Sequence, residues 1–93
     1  MVKVNEYFDG KVKSMVVNSS EGKKTVGVME AGEYEFTTSS EETMLVVDGV
    51  IKVILPGEEE WDEFGAGSSF TVPADSKFKV QVDQDTAYLC KYE

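Results

Sequence analysis

Along most of this chain hydrophobic residues recur at every second position, and almost nowhere at the three-and-four spacing of a helix. The clearest stretch is Lys77-Phe78-Lys79-Val80-Gln81-Val82-Asp83. Phe78, Val80 and Val82 fall on one side of an extended strand there, and the charged and amide residues fall on the other. Similar alternation predicts strands over Lys11–Val17, Thr25–Met29, Glu33–Thr37, Thr43–Val47, Val50–Leu55, Ser69–Val72 and Thr86–Tyr92. Turn formers separate them: Asn18-Ser19-Ser20-Glu21-Gly22, Ala31-Gly32, Pro56-Gly57 and Ala66-Gly67. Asp48-Gly49 lies between two apolar runs and reads as a two-residue hairpin turn, with positive φ at both positions. Seven or eight short strands at this spacing predict an all-β sandwich or closed barrel. No repeat or linker interrupts the pattern, so residues 1–93 read as a single domain.

A chain of 93 residues buries only roughly 60–70% of the surface its unfolded form exposes. Association with a second copy would add to that modest core, and a homodimer is the expected assembly. Eighteen acidic against nine basic residues leave a net charge of −9. Such a chain repels phosphate backbones and anionic lipid, so neither nucleic acid nor a membrane surface is an expected partner. No apolar run approaches bilayer length, and Met1-Val2-Lys3-Val4-Asn5-Glu6 lacks the apolar stretch of a signal peptide. The single cysteine, Cys90, has no partner within the chain for a disulfide and reads as a small buried hydrophobe. The expected location is cytoplasmic. The acidic run Glu58-Glu59-Glu60-Trp61-Asp62-Glu63 reads as a solvated loop from which Trp61 packs back, since it lacks the alternating oxygen ligands and turn glycine of a calcium loop.

The segment from Gly67 to Phe78 resembles the second conserved motif of cupins, a glycine, five residues, a proline and a short turn before a metal-binding histidine. Gly67 and Pro73 are in register, Asp75 stands in the turn where the motif prefers glycine, and Phe78 stands at the histidine position. In the first cupin motif two histidines two apart precede a glutamate, with a glycine seven residues beyond it. Glu42 and Gly49 keep that last spacing, while Phe36 and Thr38 replace the histidines. The resemblance implies an RmlC-like jelly-roll β-barrel whose metal ligands are reduced to Glu42. A lone carboxylate, even with Cys90 beside it, falls short of the three or four convergent ligands a transition metal requires. With no histidine in the chain, a His-based metal centre, a Ser-His-Asp triad and a histidine general base are all excluded. No cofactor is expected.

Further strings extend the likeness. They are Asn5-Glu6-Tyr7-Phe8, Gly10-Lys11-Val12-Lys13-Ser14, Val26-Gly27-Val28-Met29, Gly32-Glu33-Tyr34, Leu55-Pro56, Trp61, Ala66-Gly67, Val72-Pro73, Gln81-Val82 and Tyr88-Leu89-Cys90. Together, over essentially the whole chain, they resemble the bacterial pyrimidine/purine nucleoside phosphorylases, small cupin-like proteins. That resemblance implies phosphorolysis: a purine or pyrimidine nucleoside and inorganic phosphate give a free base and a (deoxy)ribose 1-phosphate.

Such a reaction passes through an oxocarbenium-like sugar, as glycoside cleavage does, and calls for neither a redox cofactor nor a metal. Glu42, if it projects inward, would accept hydrogen bonds from sugar hydroxyls and stabilise the developing positive charge. Phe36, Thr38 and Phe78 would be its neighbours by motif register. Broad base acceptance favours aromatic stacking over a fixed hydrogen-bonding edge, and Phe36, Phe78, Tyr34, Trp61 and Tyr88 are the candidate platforms. For phosphate the candidates are Lys11, Lys13 and Ser14 near the start, or Ser76 and Lys77 in the turn after Pro73, with Lys13, Ser14 and Ser76 preferred. Alternation sets Lys11 and Lys13 on one face with Ser14 on the other, and turns Lys77 to solvent. The alternative reading of the same residues is a cupin module that binds a small molecule without turning it over.

Overall fold

In a computed structural model describing residues 1–93, the chain forms ten strands and no helix. In order they are β1 (Val4–Tyr7), β2 (Val12–Ser19), β3 (Gly22–Met29), β4 (Gly32–Thr37), β5 (Glu42–Asp48), β6 (Val50–Ile54), β7 (Asp62–Gly65), β8 (Ser69–Val72), β9 (Lys77–Val82) and β10 (Thr86–Tyr92). A six-stranded sheet runs β1-β2-β3-β10-β5-β8 and faces a four-stranded sheet, β4-β9-β6-β7. Hydrogen bonding does not pass from one sheet to the other, so the jelly roll is a pair of facing sheets rather than a closed ring.

The alternating residues aim their apolar set into the gap. Val12, Met29, Ile51, Val53, Val72 and Val80 are completely enclosed there, within one cluster of 14 buried side chains. From β9 come Phe78, Val80 and Val82, as the period-2 pattern predicts. Two strands were not legible in that pattern. Val4-Asn5-Glu6-Tyr7 is mostly exposed at the sheet edge, and Asp62-Glu63-Phe64-Gly65 takes in the last two residues of the acidic run, which are therefore strand and not loop. Neither buries enough apolar surface to show alternation.

Asp48-Gly49 is not a hairpin turn. The strands it joins, β5 and β6, belong to different sheets, and only Gly49 of the pair has a positive φ. The glycine has a second reason to be there, because a Cβ at this position would meet the Thr86 hydroxyl at 2.6 Å. Asp75 does adopt the left-handed conformation expected of the turn before Phe78, with φ of 54°.

Register lines up the inner face of the six-stranded sheet in rows. Ser14, Gly27, Tyr88 and Val46 form one row, and Thr25, Cys90, Met44 and Phe70 the next. Tyr92, Glu42 and Val72 form the third. On the outer face Val4, Met15, Val26, Leu89 and Leu45 make a continuous apolar row across five strands. None of those five is buried. No helix is long and apolar enough to cross a membrane.

Candidate functional site

Between the sheets lies a cavity of about 100 Å³. β10 contributes Tyr88, Cys90 and Tyr92, which share its inner face because they are two residues apart. β5 adds Glu42 and Met44, β2 adds Ser14, and Tyr7 reaches in from the edge strand. The opposite sheet supplies Phe36 and Thr37 from β4 and Phe78 from β9. Phe36 and Phe78 are Cα partners, and their rings stack at 5.6 Å between centroids with 27° between planes.

Glu42 is the only charged side chain in this wall. It opens β5 directly opposite Tyr92 and Val72, half-buried, and accepts a hydrogen bond from the Cys90 thiol at 3.4 Å. Burial pushes the Glu42 carboxyl above the usual carboxylate range, and the thiol hydrogen bond works in the opposite sense. Burial and the nearby Glu42 charge together hold the Cys90 proton up to about 12. Burial likewise pushes the Tyr88 phenol to about 12 and raises that of Tyr92. The Tyr92 hydroxyl hydrogen-bonds the Thr25 hydroxyl at 3.1 Å. At neutral pH the wall therefore presents neutral hydroxyl and thiol groups around one acid.

Of the residues singled out by sequence, Glu42, Phe36, Phe78, Tyr88 and Ser14 come together at this cavity. The others lie elsewhere. Thr38 is committed to the turn: its hydroxyl donates to the Pro73 carbonyl at 2.7 Å and accepts from the Ser76 N–H at 3.0 Å. Its chain neighbour Thr37 lines the cavity instead. Tyr34 turns its hydroxyl onto the Glu30 carbonyl at 2.7 Å and packs on Phe8. Trp61 lies 40% exposed on the acidic segment. Lys13 points outward and pairs with Glu6 at 3.1 Å, and the Ser76 hydroxyl bonds back to Ala74.

Tyr7 and Tyr92 were not among the sequence candidates. Tyr7 sits on a strand too exposed to reveal itself by alternation. Tyr92 does share a face with Tyr88 and Cys90, two and four residues earlier, and that spacing was the available signal. Cys90 is buried, as expected of a small hydrophobe, yet it also bonds Glu42.

The donor groups present do not fit the metal of typical cupins. Glu42 and Cys90 are two groups, one of them a thiol that keeps its proton, and no three His, Cys, Asp or Glu side chains converge in the fold.

Over residues 2–92 the sequence matches the profile of the pyrimidine/purine nucleoside phosphorylases. The chain belongs to this family. A pyrimidine/purine nucleoside phosphorylase from Pseudomonas aeruginosa is 61% identical over 92 residues, covering 99% of both chains. A crystal structure of a Vibrio parahaemolyticus protein of unknown function matches with a TM-score of 0.96 and 44% identity, covering 100% of this chain and 99% of that one. An RmlC-like cupin from Shewanella frigidimarina aligns at TM-score 0.74 over 98% of this chain and 82% of its own. At 17% identity it supports the fold alone, and that fold is the cupin jelly roll.

Proposed function

We propose that this cavity is where the chain, as a nucleoside phosphorylase, splits purine and pyrimidine nucleosides with inorganic phosphate. The observation that carries the reading is Glu42, the one charged group in a wall of aromatic rings, hydroxyls, a thioether and a thiol. As the C–N bond lengthens, positive charge spreads over the sugar ring, and a fixed carboxylate in a half-dry site opposes that charge more effectively than water would. Sugar hydroxyls donate to Glu42, and the base stacks at Phe36 and Phe78. Stacking does not discriminate strongly between bases, because each has a π-face. That supports breadth across purines and pyrimidines.

The bond that breaks is the one from the sugar to the base nitrogen, and the bond that forms is from the sugar to a phosphate oxygen. The base leaves with the bonding pair and takes a proton. Glycosyl transfer of this kind is balanced without a metal or a redox cofactor.

Ligand pockets usually enclose about 300–1,000 Å³, so at about 100 Å³ this cavity admits a nucleoside only if a wall moves. β1 is the wall least held in place, an edge strand of four residues paired with β2 alone. Beyond it Phe8 and Asp9 both hold the left-handed conformation, at φ of 54° and 57°, a strained pair for residues with a Cβ. In solution a homodimer would cover the apolar row Val4-Met15-Val26-Leu89-Leu45. A lone free thiol suits the cytoplasm.

The deciding experiment incubates purified protein with uridine or adenosine, with and without inorganic phosphate, and follows free base. Phosphate-dependent release is the expected result. Absence of release from any nucleoside overturns the reading in favour of a binding module, and release without phosphate indicates a hydrolase.

A further inference from the structure

We propose that Lys23 binds the attacking phosphate at the rim of the cavity. This rests on the phosphorolysis reading above and supplies what that cavity lacks, a positive group. The chain's nine basic residues are all lysine, so no planar guanidinium is available to grip an oxyanion. Four lysines stand on the six-stranded sheet: Lys13, Lys23, Lys24 and Lys91. Alternation sorts them. On β3, Thr25, Gly27 and Met29 are buried on the inner face, and Lys23, exposed near the start of the strand, falls in the same alternating positions while the half-buried Lys24 does not. Lys13 and Lys91 alternate with the inward Ser14 and Cys90 and therefore face out.

The placement of the ammonium agrees. Its Nζ lies 5.3 Å from the ring centroid of Tyr92, which lines the cavity and is the register partner of Glu42. Lys13, Lys24 and Lys52 are tied to carboxylates, whereas Lys23 has none within 4.0 Å. An aromatic face holds a cation in position without neutralising it, so its charge is left for an incoming anion. In a chain of net charge −9, a dianion needs such a local positive centre to approach the carboxylate-bearing site at all.

The arrangement also divides the substrates between the sheets. Phe36 and Phe78 belong to the four-stranded sheet, and Lys23, Tyr92 and Glu42 to the six-stranded one. A base stacked on the first and a phosphate held on the second lie on opposite sides of a sugar placed between them. That is the disposition an in-line displacement requires.

The test compares wild type with Lys23→Gln, Lys23→Arg and, as control, Lys24→Gln, in steady-state kinetics with phosphate and nucleoside varied separately. Phosphorus NMR titration with inorganic phosphate reads binding independently of turnover. For Lys23→Gln we expect the KM for phosphate and its dissociation constant to rise about tenfold or more, with the nucleoside KM changed less than about twofold. Lys23→Arg should recover most of the loss, and Lys24→Gln should match wild type. Unchanged phosphate affinity in Lys23→Gln overturns the assignment, even if base release remains phosphate-dependent. If wild type releases no base yet binds phosphate through Lys23, the phosphorolysis reading falls and the anion site stands.

Discussion

Tyr88 lies in space that only a glycine leaves free: a Cβ on its Cα partner Gly27 would come within 2.6 Å of both the Tyr88 ring carbon Cζ and its hydroxyl oxygen. The same Cβ would meet the Lys13 carbonyl oxygen at 2.8 Å, and backbone in the middle of a sheet cannot swing aside. Gly27→Ala should therefore drive the phenol towards the cavity and cost about 1–3 kcal/mol, read as a fall in Tm, together with most of the activity. Adding Tyr88→Ala to Gly27→Ala should recover part of the Tm by removing the clash, but no turnover. Recovery of both would mean that Tyr88 fills space and does nothing for substrate.

The role proposed for Glu42 would set stability against function. Burial raises its folded-state pKa above the unfolded value, so the protonated form favours the fold. That contribution is complete below the ordinary carboxylate range, near pH 4.3, and is lost as pH rises through the raised folded value. Glu42→Gln keeps a neutral group of the same shape at every pH. Its Tm should exceed that of wild type at pH 7, with the gap closing below about pH 4. Base release should meanwhile fall at least about tenfold, as when a single electrostatic contact to a transition state is removed. A Tm lower than wild type at pH 7, or unchanged turnover, would contradict the role given to this carboxylate.

Alternation was a good guide wherever one strand face was buried. Lys77–Val82 and Thr86–Tyr92 stand where the pattern put them, and it also separated Ser14 from Lys13. It was silent for β1, whose residues are mostly exposed, and hence for Tyr7. Motif register placed Phe36, Phe78 and Glu42 at one cavity because strand pairing preserves that register. It misplaced Thr38, since the chain leaves β4 at Thr37 and the next hydroxyl folds back onto the Pro73–Ser76 turn. Asp48-Gly49 carries the same local signal whether a chain reverses within a sheet or crosses to another. Only tertiary context separates the two.

Alkaline pH should unfold the protein from inside the cavity. Tyr88 and Cys90 hold their protons to about 12, and Tyr92 is shifted in the same direction. Unfolded, these groups ionise from about pH 8.5 to 10. Their stabilising contribution is thus full below that range and declines as pH rises towards the folded values, because the folded state then binds more protons than the unfolded one. Denaturant midpoints should fall progressively from pH 9 to 11, with tyrosinate absorbance from Tyr88 and Tyr92 appearing together with unfolding. For the same reason Cys90 should resist a thiol reagent at pH 8 until the chain unfolds. Ready labelling of the native protein would contradict its burial.

The outer row of the six-stranded sheet leads to a prediction about assembly. Leu89 stands within it, aligned with Val26 on one side and Leu45 on the other. Light scattering should give a mass twice the 10.3 kDa of one chain. Leu89→Glu should halve that mass by placing a carboxylate against its own copy, and should make Tm independent of protein concentration. A wild-type protein that remains monomeric at micromolar concentrations would remove the homodimer.

Entry to the cavity should be visible in the edge strand. β1 pairs with β2 alone, while β3 and β10 are paired on both sides. Its amides should exchange with solvent far faster than those of β3 and β10, by local opening rather than global unfolding. Nucleoside binding should slow the Tyr7 amide selectively, because Tyr7 lines the cavity and would close over a nucleoside held there. Phe8 steadies that closure by packing on Tyr34 at 4.9 Å and on Phe36 at 5.5 Å between ring centroids. Phe8→Ala should speed exchange across β1 with exchange in β3 and β10 little altered. It should also weaken the slowing produced by nucleoside. Equal protection of β1 and β10 in the free protein would place the entrance at some other wall.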